Sequence, residues 1–289
     1  MVFLALLILI PTAFAVFLGI RSADLERQLV QGSGEKEPGV QNTNGLDPSW
    51  TPGVVPTSYE NGLVSDPLSY QLLYPDLYST GNVLPDRSKE IDTAYLTFDS
   101  LPSSNTTQIL DILDEYDVKA TFFVMGTTDP DALEVMKDIV NRGHTIGLLS
   151  YSGSYQEIYQ STVDAYLNDF KQIYDLVYET TGVKAEIFRF PGGSVNVYNE
   201  KVNEDIIEKM TERGYIYYDW NASLEDAAVD MTPEELVSNG VSTTLGRQKV
   251  VMLAHDVVYN TGVCLEELLD SLPEYEMKAL NEEVEPVQF

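Results

Sequence analysis

Hydrophobic positions follow two alternating spacings from residue 91 to about residue 272. Short apolar runs predict buried strands, and longer segments with apolar residues at i, i+3, i+4 and i+7 predict amphipathic helices. The predicted strands cover 93–98, 120–125, 145–150, 185–190, 215–219 and 249–254. The predicted helices cover 104–116, 131–142, 155–181, 199–213, 233–245 and 262–272.

Repeated strand–helix units predict an α/β fold in which right-handed crossovers join parallel strands. A closed or nearly closed (β/α)-barrel of six to eight strands fits the roughly 190 residues available, and a doubly wound open sheet is the alternative. In both folds, functional side chains collect where the C-terminal ends of the strands meet their loops. The residues at or just after predicted strand ends are Asp99, Ser150, Arg189, Asp219 and His255. We therefore expect them to share one site.

The first third of the chain has a different pattern. Residues 2–20 carry no charge and are mostly apolar, about the length of a membrane-spanning helix. An uncleaved anchor over residues 1–21 is favoured, and secretory-signal cleavage after Ala13-Phe14-Ala15 is the alternative. Both interpretations place the domain outside the cytoplasm, either at the cell membrane or secreted.

The remaining segments follow from composition. Residues 22–69 are interrupted by Gly and Pro, which predicts a flexible linker. The aromatic lead-in at 70–90 is predicted to pack on a domain formed by residues 91–275. Residues 276–289 are predicted to be an acidic tail.

Charge and cysteine content narrow the possible partners. The 289 residues include 46 acidic and 17 basic residues, for a formal net charge of −29. Nucleic acid and anionic lipid surfaces would repel such a chain, so neither is expected as a partner. The single cysteine, Cys264, excludes an internal disulfide and a cysteine-based zinc site. It lies in an apolar run, so we expect a buried, inert thiol.

The residues at the strand ends make two acid–base pairs, Asp99 with Arg189 and Asp219 with His255. An arginine keeps a neighbouring carboxylate ionised, and a carboxylate stabilises the imidazolium form of a histidine, which suits a general acid. The four residues are either a hydrolytic base and acid or a polar network that closes the mouth of a barrel. The stretch Pro191-Gly192-Gly193 either presents backbone N–H groups to an oxyanion or forms an ordinary tight loop.

Short motifs follow one another over about 180 residues. They are Thr97-Phe98-Asp99-Ser100, Gly143-His144-Thr145-Ile146-Gly147 with Ser150-Tyr151-Ser152, Phe188-Arg189-Phe190-Pro191-Gly192-Gly193, Asp219-Trp220-Asn221 with Asp226, and Leu253-Ala254-His255-Asp256. In this order they resemble the motifs of the polysaccharide deacetylase family (the NodB-homology domain, carbohydrate esterase family 4). The resemblance implies a distorted (β/α)-barrel with about seven parallel strands, and a substrate class of N-acetylated glycans such as peptidoglycan or chitin-like chains.

The resemblance also implies roles for individual residues. It gives Asp99, Arg189, Asp219 and His255 as catalytic, and Pro191, Gly192, Gly193, Trp220 and Leu253 as substrate-binding. Asp99 would deprotonate the attacking water. His255, tuned by Asp219, would protonate the leaving amine. Trp220 and Leu253 would line the pocket for the acetyl group, and the backbone N–H of Gly192 would donate a hydrogen bond to the oxyanion.

The resemblance is incomplete at the metal. The family holds a divalent metal such as zinc with one Asp and two His, and the corresponding metal-ligand positions here are Ser100, Leu149 and Gly153. A hydroxyl, a hydrocarbon side chain and a missing side chain do not make a metal site, so no cofactor is expected. Without the metal, the pKa of the attacking water returns from about 7 toward its much higher value in bulk water.

Three hypotheses follow. The favoured one is a non-catalytic deacetylase-like domain that binds an N-acetylated cell-wall glycan or a cell-envelope protein. The second is a hydrolase that uses Asp99 and His255 without the usual metal. The third is a metal-dependent deacetylase whose ligands differ from those of the family.

Overall fold

The structure, a computed structural model, describes Leu77 and residues 92–159, 162–228 and 230–289. The predicted membrane segment, the linker and all of the lead-in except Leu77 lie outside the described residues. Leu77 is fully buried, and its carbonyl oxygen accepts a hydrogen bond from Nη1 of Arg213 at 3.4 Å. Within the described residues, none of the helices is long and apolar enough to cross a membrane.

Strands and helices alternate through the domain. The strands are β1 (Thr93–Ser100), β2 (Thr121–Met125), β3 (Thr145–Ser150), β4 (Ile187–Phe188), β5 (Ile216–Tyr217), β6 (Ala222–Ser223), β7 (Lys249–His255) and β8 (Glu276–Lys278). The helices are α1 (Ser104–Glu115), α2 (Pro130–Asn141), α3 (Tyr155–Ile158), α4 (Val163–Thr181), α5 (Asn203–Glu212), α6 (Pro233–Thr244) and α7 (Tyr259–Asp270).

The strands form one sheet in the order β5-β4-β3-β2-β1-β7-β6. Its described strand pairs are parallel. The central strand β1 also pairs with β8, which lies beside Thr93–Tyr95, whereas β2 lies beside Thr97–Ser100. Because all these strands run the same way, their C-terminal ends lie along one edge of the sheet.

Two apolar clusters cover the two faces of the sheet. Alternate strand residues such as Phe98, Phe122 and Leu148 pack with residues of the helices in the larger cluster. The opposite alternation, which includes Tyr95 and Phe123, faces a smaller cluster on the inner face of the sheet. Among the described residues, helices therefore cover one face of the sheet, whereas a doubly wound sheet has helices on both. The prediction of a distorted barrel with about seven parallel strands is confirmed, and β8 is an additional strand.

Two predicted helices are shorter than the sequence pattern suggested. The helix predicted at 155–181 is divided into α3 and α4, because Thr162 has an extended backbone (φ −135°, ψ 141°) and the apolar stripe starts only at Val163. The helix predicted at 199–213 starts at Asn203. Asn199 instead uses its side-chain amide to donate hydrogen bonds to the carbonyl oxygens of Gly193 and Ser194, at 3.3 and 3.0 Å.

The structure differs from the predicted acidic tail over residues 276–289, here called the C-terminal segment. It begins with β8 and continues with Leu280 and Val284, both buried in the inner cluster. The hydroxyl of Tyr218 donates hydrogen bonds to the carbonyl oxygens of Asn281 and Val284, at 2.8 and 2.6 Å. Leu280 and Val284 face inward while the acidic residues of the segment stay at least partly exposed, so the domain extends beyond residue 275.

Candidate active site

The predicted catalytic residues lie together at the C-terminal edge of the sheet. Asp99 in β1 and His255 at the end of β7 are direct neighbours in the register of the two strands. Arg189 follows β4, and Asp219 lies two residues after β5. The four residues therefore lie where the strand ends predicted them. Parallel pairing brings residues that are far apart in sequence to one edge of the sheet.

Arg189 is the centre of the site. Its side chain is fully buried, and its Nη1 forms an ion pair with Oδ1 of Asp99 at 3.0 Å. Its Nε donates to the carbonyl oxygen of Tyr218 at 2.8 Å, and its Nη2 donates to that of Asp219 at 3.3 Å. The guanidinium also lies 4.4 Å from the ring centroid of Phe123. Burial lowers the pKa of Arg189, and the attraction of Asp99 opposes this shift. The pair predicted between Asp99 and Arg189 is present.

Asp219 is not the partner of His255, so that predicted pair is wrong. Its carboxylate accepts hydrogen bonds from the backbone N–H of Ser194 at 2.8 Å, from the Ser194 hydroxyl at 2.6 Å and from the N–H of Phe289 at 2.9 Å. Burial raises the pKa of Asp219, and these hydrogen bonds oppose the shift. The residue therefore joins the loop after β4 to the C-terminal segment.

The partner of His255 is Asp226. Oδ1 of Asp226 lies 2.7 Å from Nδ1 of His255, and its Oδ2 accepts the His255 backbone N–H at 2.6 Å and the Thr261 hydroxyl at 2.7 Å. Burial lowers the pKa of His255, but the charge and hydrogen bond of Asp226 outweigh it and raise the pKa to about 9. The imidazole is therefore protonated at neutral pH, as a general acid requires.

The register of β6 explains this exchange of partners. Ser223 in β6 lies beside Leu253 in β7, so three residues further on Asp226 reaches the level of His255. Asp219 precedes β6 and stays on the side of Arg189. Leu253, which was predicted to line the acetyl pocket, is buried on β7. It lies two residues before His255 and therefore on the same face of the strand.

The loop after β4 is held in one conformation. Gly192 and Gly193 have positive φ angles of 75° and 86°, a backbone conformation that residues other than glycine rarely adopt. The N–H of Gly193 donates to the carbonyl oxygen of Phe190 at 2.8 Å, and the carbonyl oxygen of Pro191 accepts the Tyr159 hydroxyl at 3.1 Å. The geometry is that of a tight, ordered loop at the site.

The sequence of this domain matches known proteins. A family model for polysaccharide deacetylase matches residues 86–215. The catalytic domain of a peptidoglycan N-acetylglucosamine deacetylase from Eubacterium rectale is 31% identical, with a TM-score of 0.68. The match covers 73% of this chain and 97% of that domain. The chain belongs to the polysaccharide deacetylase family.

Two further members show the range of this family. A peptidoglycan-N-acetylglucosamine deacetylase of Bacillus cereus is 29% identical over 208 residues, which cover 70% of this chain and 74% of that protein. A more distant solved structure is a mutant of a carbohydrate esterase family 4 pseudoenzyme with restored enzymatic activity. It shares the fold with a TM-score of 0.56 at 22% identity, over 69% of this chain and 70% of that one.

Ser100, at the first of the three positions predicted to correspond to the family's metal ligands, faces away from the inner face of the sheet. The hydroxyl of Ser100 donates to Oδ2 of Asp256 at 2.5 Å. Asp256 is fully buried and also accepts hydrogen bonds from the Thr106 hydroxyl at 2.6 Å and from the N–H of Leu101 at 3.1 Å. Burial raises the pKa of Asp256 to about 6, and these hydrogen bonds oppose the shift. Ser100 therefore anchors the loop after β1.

The other two predicted metal-ligand positions, Leu149 and Gly153, face hydrocarbon. Leu149 packs in the inner cluster with Phe123 and Met125. Gly153 has a φ of 65°, and a Cβ built on it would lie only 2.2 Å from Cε of Met125. The Met125 side chain therefore occupies the space that a side chain at position 153 would need. The residues present do not fit a divalent metal, since the hydroxyl already donates to Asp256 and the rest offer no ligand atom.

The other described residues do not supply a replacement ligand set. Within the part of the chain that the structure describes, groups of three His, Cys, Asp or Glu residues suited to a metal ion are absent. His144 precedes β3, and its Nδ1 accepts the backbone N–H of Ala120 at 3.1 Å. Burial lowers the pKa of His144 to about 4, and the charge of Lys119 adds to this shift.

Four residues that shape the site were given no role from the sequence, although Asp256 lies in the last of the quoted motifs. Asp169 in α4 holds the loop after β3 by accepting the Ser150 hydroxyl at 2.7 Å and the N–H of Ser152 at 2.8 Å. The others are Met125, Asp256 and Phe289. Asp169 had a detectable signal, because it is an acidic residue at a buried position of an amphipathic helix.

Proposed function

We propose that this chain is a deacetylase-family protein that binds N-acetylated glycan and has a strongly impaired deacetylation step. The observation that carries this proposal is the apolar filling at the metal-ligand positions, where Met125 and Leu149 stand in place of ligand atoms. A catalytic metal activates water and polarises the carbonyl group, effects that together amount to several kcal/mol of transition-state stabilisation. Its loss would slow the reaction by several orders of magnitude.

The proposal that glycan still binds rests on the parts of the site that remain. The loop from Pro191 to Ser194 is ordered by Asp219, and Trp220 lies beside it, with its ring 5.6 Å from the Arg189 guanidinium. The substrate class is taken from relatives that are peptidoglycan N-acetylglucosamine deacetylases. A solved neighbour of the same fold is a mutant, with restored activity, of a pseudoenzyme, which supports the idea that this fold exists without activity. A cell-envelope protein is the alternative partner.

A second candidate function is metal-independent deacetylation. It is favoured by the pairing of Asp99 with Arg189 and by the raised pKa of His255. The Asp99 carboxylate would take a proton from water as the oxygen attacks the acetyl carbonyl. The protonated His255 would give a proton to the leaving amine as the carbon–nitrogen bond breaks, so that amide and water become amine and acetate. Asp99 is a weak base for water that no metal activates.

One experiment separates these functions. We expect the full chain to bind a tetramer of N-acetylglucosamine in titration calorimetry and to release no acetate above a blank, with or without added zinc. Acetate release that requires metal and disappears in Asp99→Asn would contradict the proposed impairment. Release that needs no metal and disappears in Asp99→Asn and His255→Gln would support the second candidate instead.

The location of binding is tested by Trp220→Ala. Trp220 is half-buried at the mouth, so its removal should weaken tetramer binding about tenfold or more. Tyr178→Ala is a matched control, because Tyr178 is 45% exposed near the end of α4, away from the site. Equal affinities for the wild type and Trp220→Ala would place binding outside this cleft.

We further propose that the domain is held outside the cytoplasm by residues 2–20, a segment of membrane-spanning length. The full chain should then partition with membranes, and protease added to intact, wall-stripped cells should degrade it. Protection of the domain until the cells are lysed would contradict this location.

A further inference from the structure

The C-terminal segment reaches the candidate active site and is fixed there by its backbone. The N–H of Asp219 donates to the carbonyl oxygen of Val287 at 2.8 Å, and the Asp219 carboxylate accepts the N–H of Phe289 at 2.9 Å. Between them, the side-chain amide of Gln288 donates to the carbonyl oxygen of Tyr217 at 3.2 Å. These bonds fix the position of Phe289 relative to the site.

The ring of Phe289 stands at the mouth. Phe289 as a whole residue is 57% exposed, and the centroid of its ring lies 5.3 Å from that of Trp220 with an angle of 79° between the rings. A Cβ built on Gly193 would lie 3.2 Å from the Trp220 ring and 3.4 Å from the Phe289 ring. The loop, Trp220 and Phe289 therefore form a corner in which Phe289 is an exposed residue.

The corner matches the chemistry of a sugar ring. The C–H groups of a pyranose give it an apolar face, and an exposed aromatic ring beside a polar cleft provides the complementary surface. Fixing the ring before binding reduces the conformational entropy lost on binding. The chain has a net charge of −29, which disfavours a polyanionic occupant and leaves a neutral glycan as the better match.

We infer that Phe289 is a glycan-contacting residue that stacks on one sugar ring of an N-acetylated chain bound along the Trp220 corner. This inference rests on the proposed function, since it names a further contact for the same ligand. It gives the C-terminal segment a role in recognition in addition to its role in the inner core.

The test uses the full chain, the N-acetylglucosamine tetramer and titration calorimetry. Phe289→Ala keeps the backbone hydrogen bond to Asp219, and we expect it to raise the dissociation constant about tenfold, as for the loss of one stacked ring. Phe289→Tyr keeps the ring and should bind within about twofold of the wild type. Tyr178→Ala is the control for a general loss of exposed aromatic surface.

The outcomes separate this inference from the proposed function. If the wild type binds no tetramer, the proposed function fails, and the inference fails with it. If the wild type binds and Phe289→Ala binds equally well, only the role of Phe289 is contradicted. If Phe289→Ala binds more tightly, the ring obstructs the cleft rather than contacting the glycan, and the inference is again overturned.

Discussion

Asp226→Asn is expected to lower the pKa of His255 from about 9 to below its ordinary value of 6.5 and to destabilise the fold by about 3–5 kcal/mol. The carboxylate is the counter-charge that outweighs burial of the imidazolium. It also accepts hydrogen bonds from the His255 backbone and the Thr261 hydroxyl. An amide at position 226 has only one acceptor oxygen, and its NH2 group would face the donors that now bond to the second carboxylate oxygen. At least one buried donor would therefore lose its acceptor.

Histidine titration by NMR can measure this directly, because the chain has only two histidines. In the wild type, one should titrate at about 4 (His144) and the other at about 9 (His255). Asp219→Asn should leave the higher value nearly unchanged, and Asp230→Asn is a control for an exposed acid in the same region. A large shift in Asp219→Asn with none in Asp226→Asn would restore the pair predicted from sequence.

The same pair makes stability depend on pH. The folded pKa of His255 is raised, so the folded state binds more protons than the unfolded state between about pH 6.5 and about pH 9. The contribution is complete below the unfolded value of 6.5, falls as pH rises, and is lost above 9. Its full size is about 3 kcal/mol. Urea unfolding of the wild type should show this decline relative to Asp226→Asn, which lacks it.

The positions of Asp99 and His255 could be predicted from sequence because they follow from hydrophobic pattern alone. Each apolar run is long enough to define a strand, and parallel strands bring their C-terminal ends to one edge. The register of β1 and β7 then places the two residues side by side. Arg189 follows by the same reasoning, since its strand ends in an apolar run before a Pro–Gly loop.

The choice between Asp219 and Asp226 could not be predicted, because it depends on β6. That strand has only two residues, Ala222 and Ser223, and a two-residue strand has no detectable periodicity. The C-terminal segment was misjudged for a related reason. Its inward-facing residues, Leu280 and Val284, are too few to outweigh its acidic composition, and their partners are distant in sequence.

The second large effect concerns Met125, and it changes how a metal site could be rebuilt. Sequence alone suggests Ser100→Asp, Leu149→His and Gly153→His. The structure shows that any side chain at position 153 would meet Met125, with its Cβ 2.2 Å from Cε. We therefore expect the triple variant to bind zinc poorly. Adding Met125→Ala should tighten zinc binding roughly ten- to a hundredfold, because moving the flexible end of the Met125 side chain out of a packed cluster costs about 1–3 kcal/mol.

Two local features set the limits of this design. The backbone at Gly153 has a φ of 65°, a conformation that histidine adopts more readily than most residues. Asp256 faces position 100, and a carboxylate introduced there would be repelled by that of Asp256. The new carboxylate can therefore reach a cation on the inner face of the sheet only if the loop after β1 adjusts.

Zinc titration of the full chain, with Met125→Ala alone as the matched control, distinguishes the possibilities. The control should bind no more zinc than the wild type, since it opens space without adding ligands. If the triple variant binds as tightly as the quadruple variant, Met125 does not obstruct the site. If the quadruple variant folds, as judged by circular dichroism, and still binds no zinc, the assignment of positions 100, 149 and 153 to the metal is wrong. Zinc binding that appears only with Met125→Ala would show that Met125 fills the metal-ligand face.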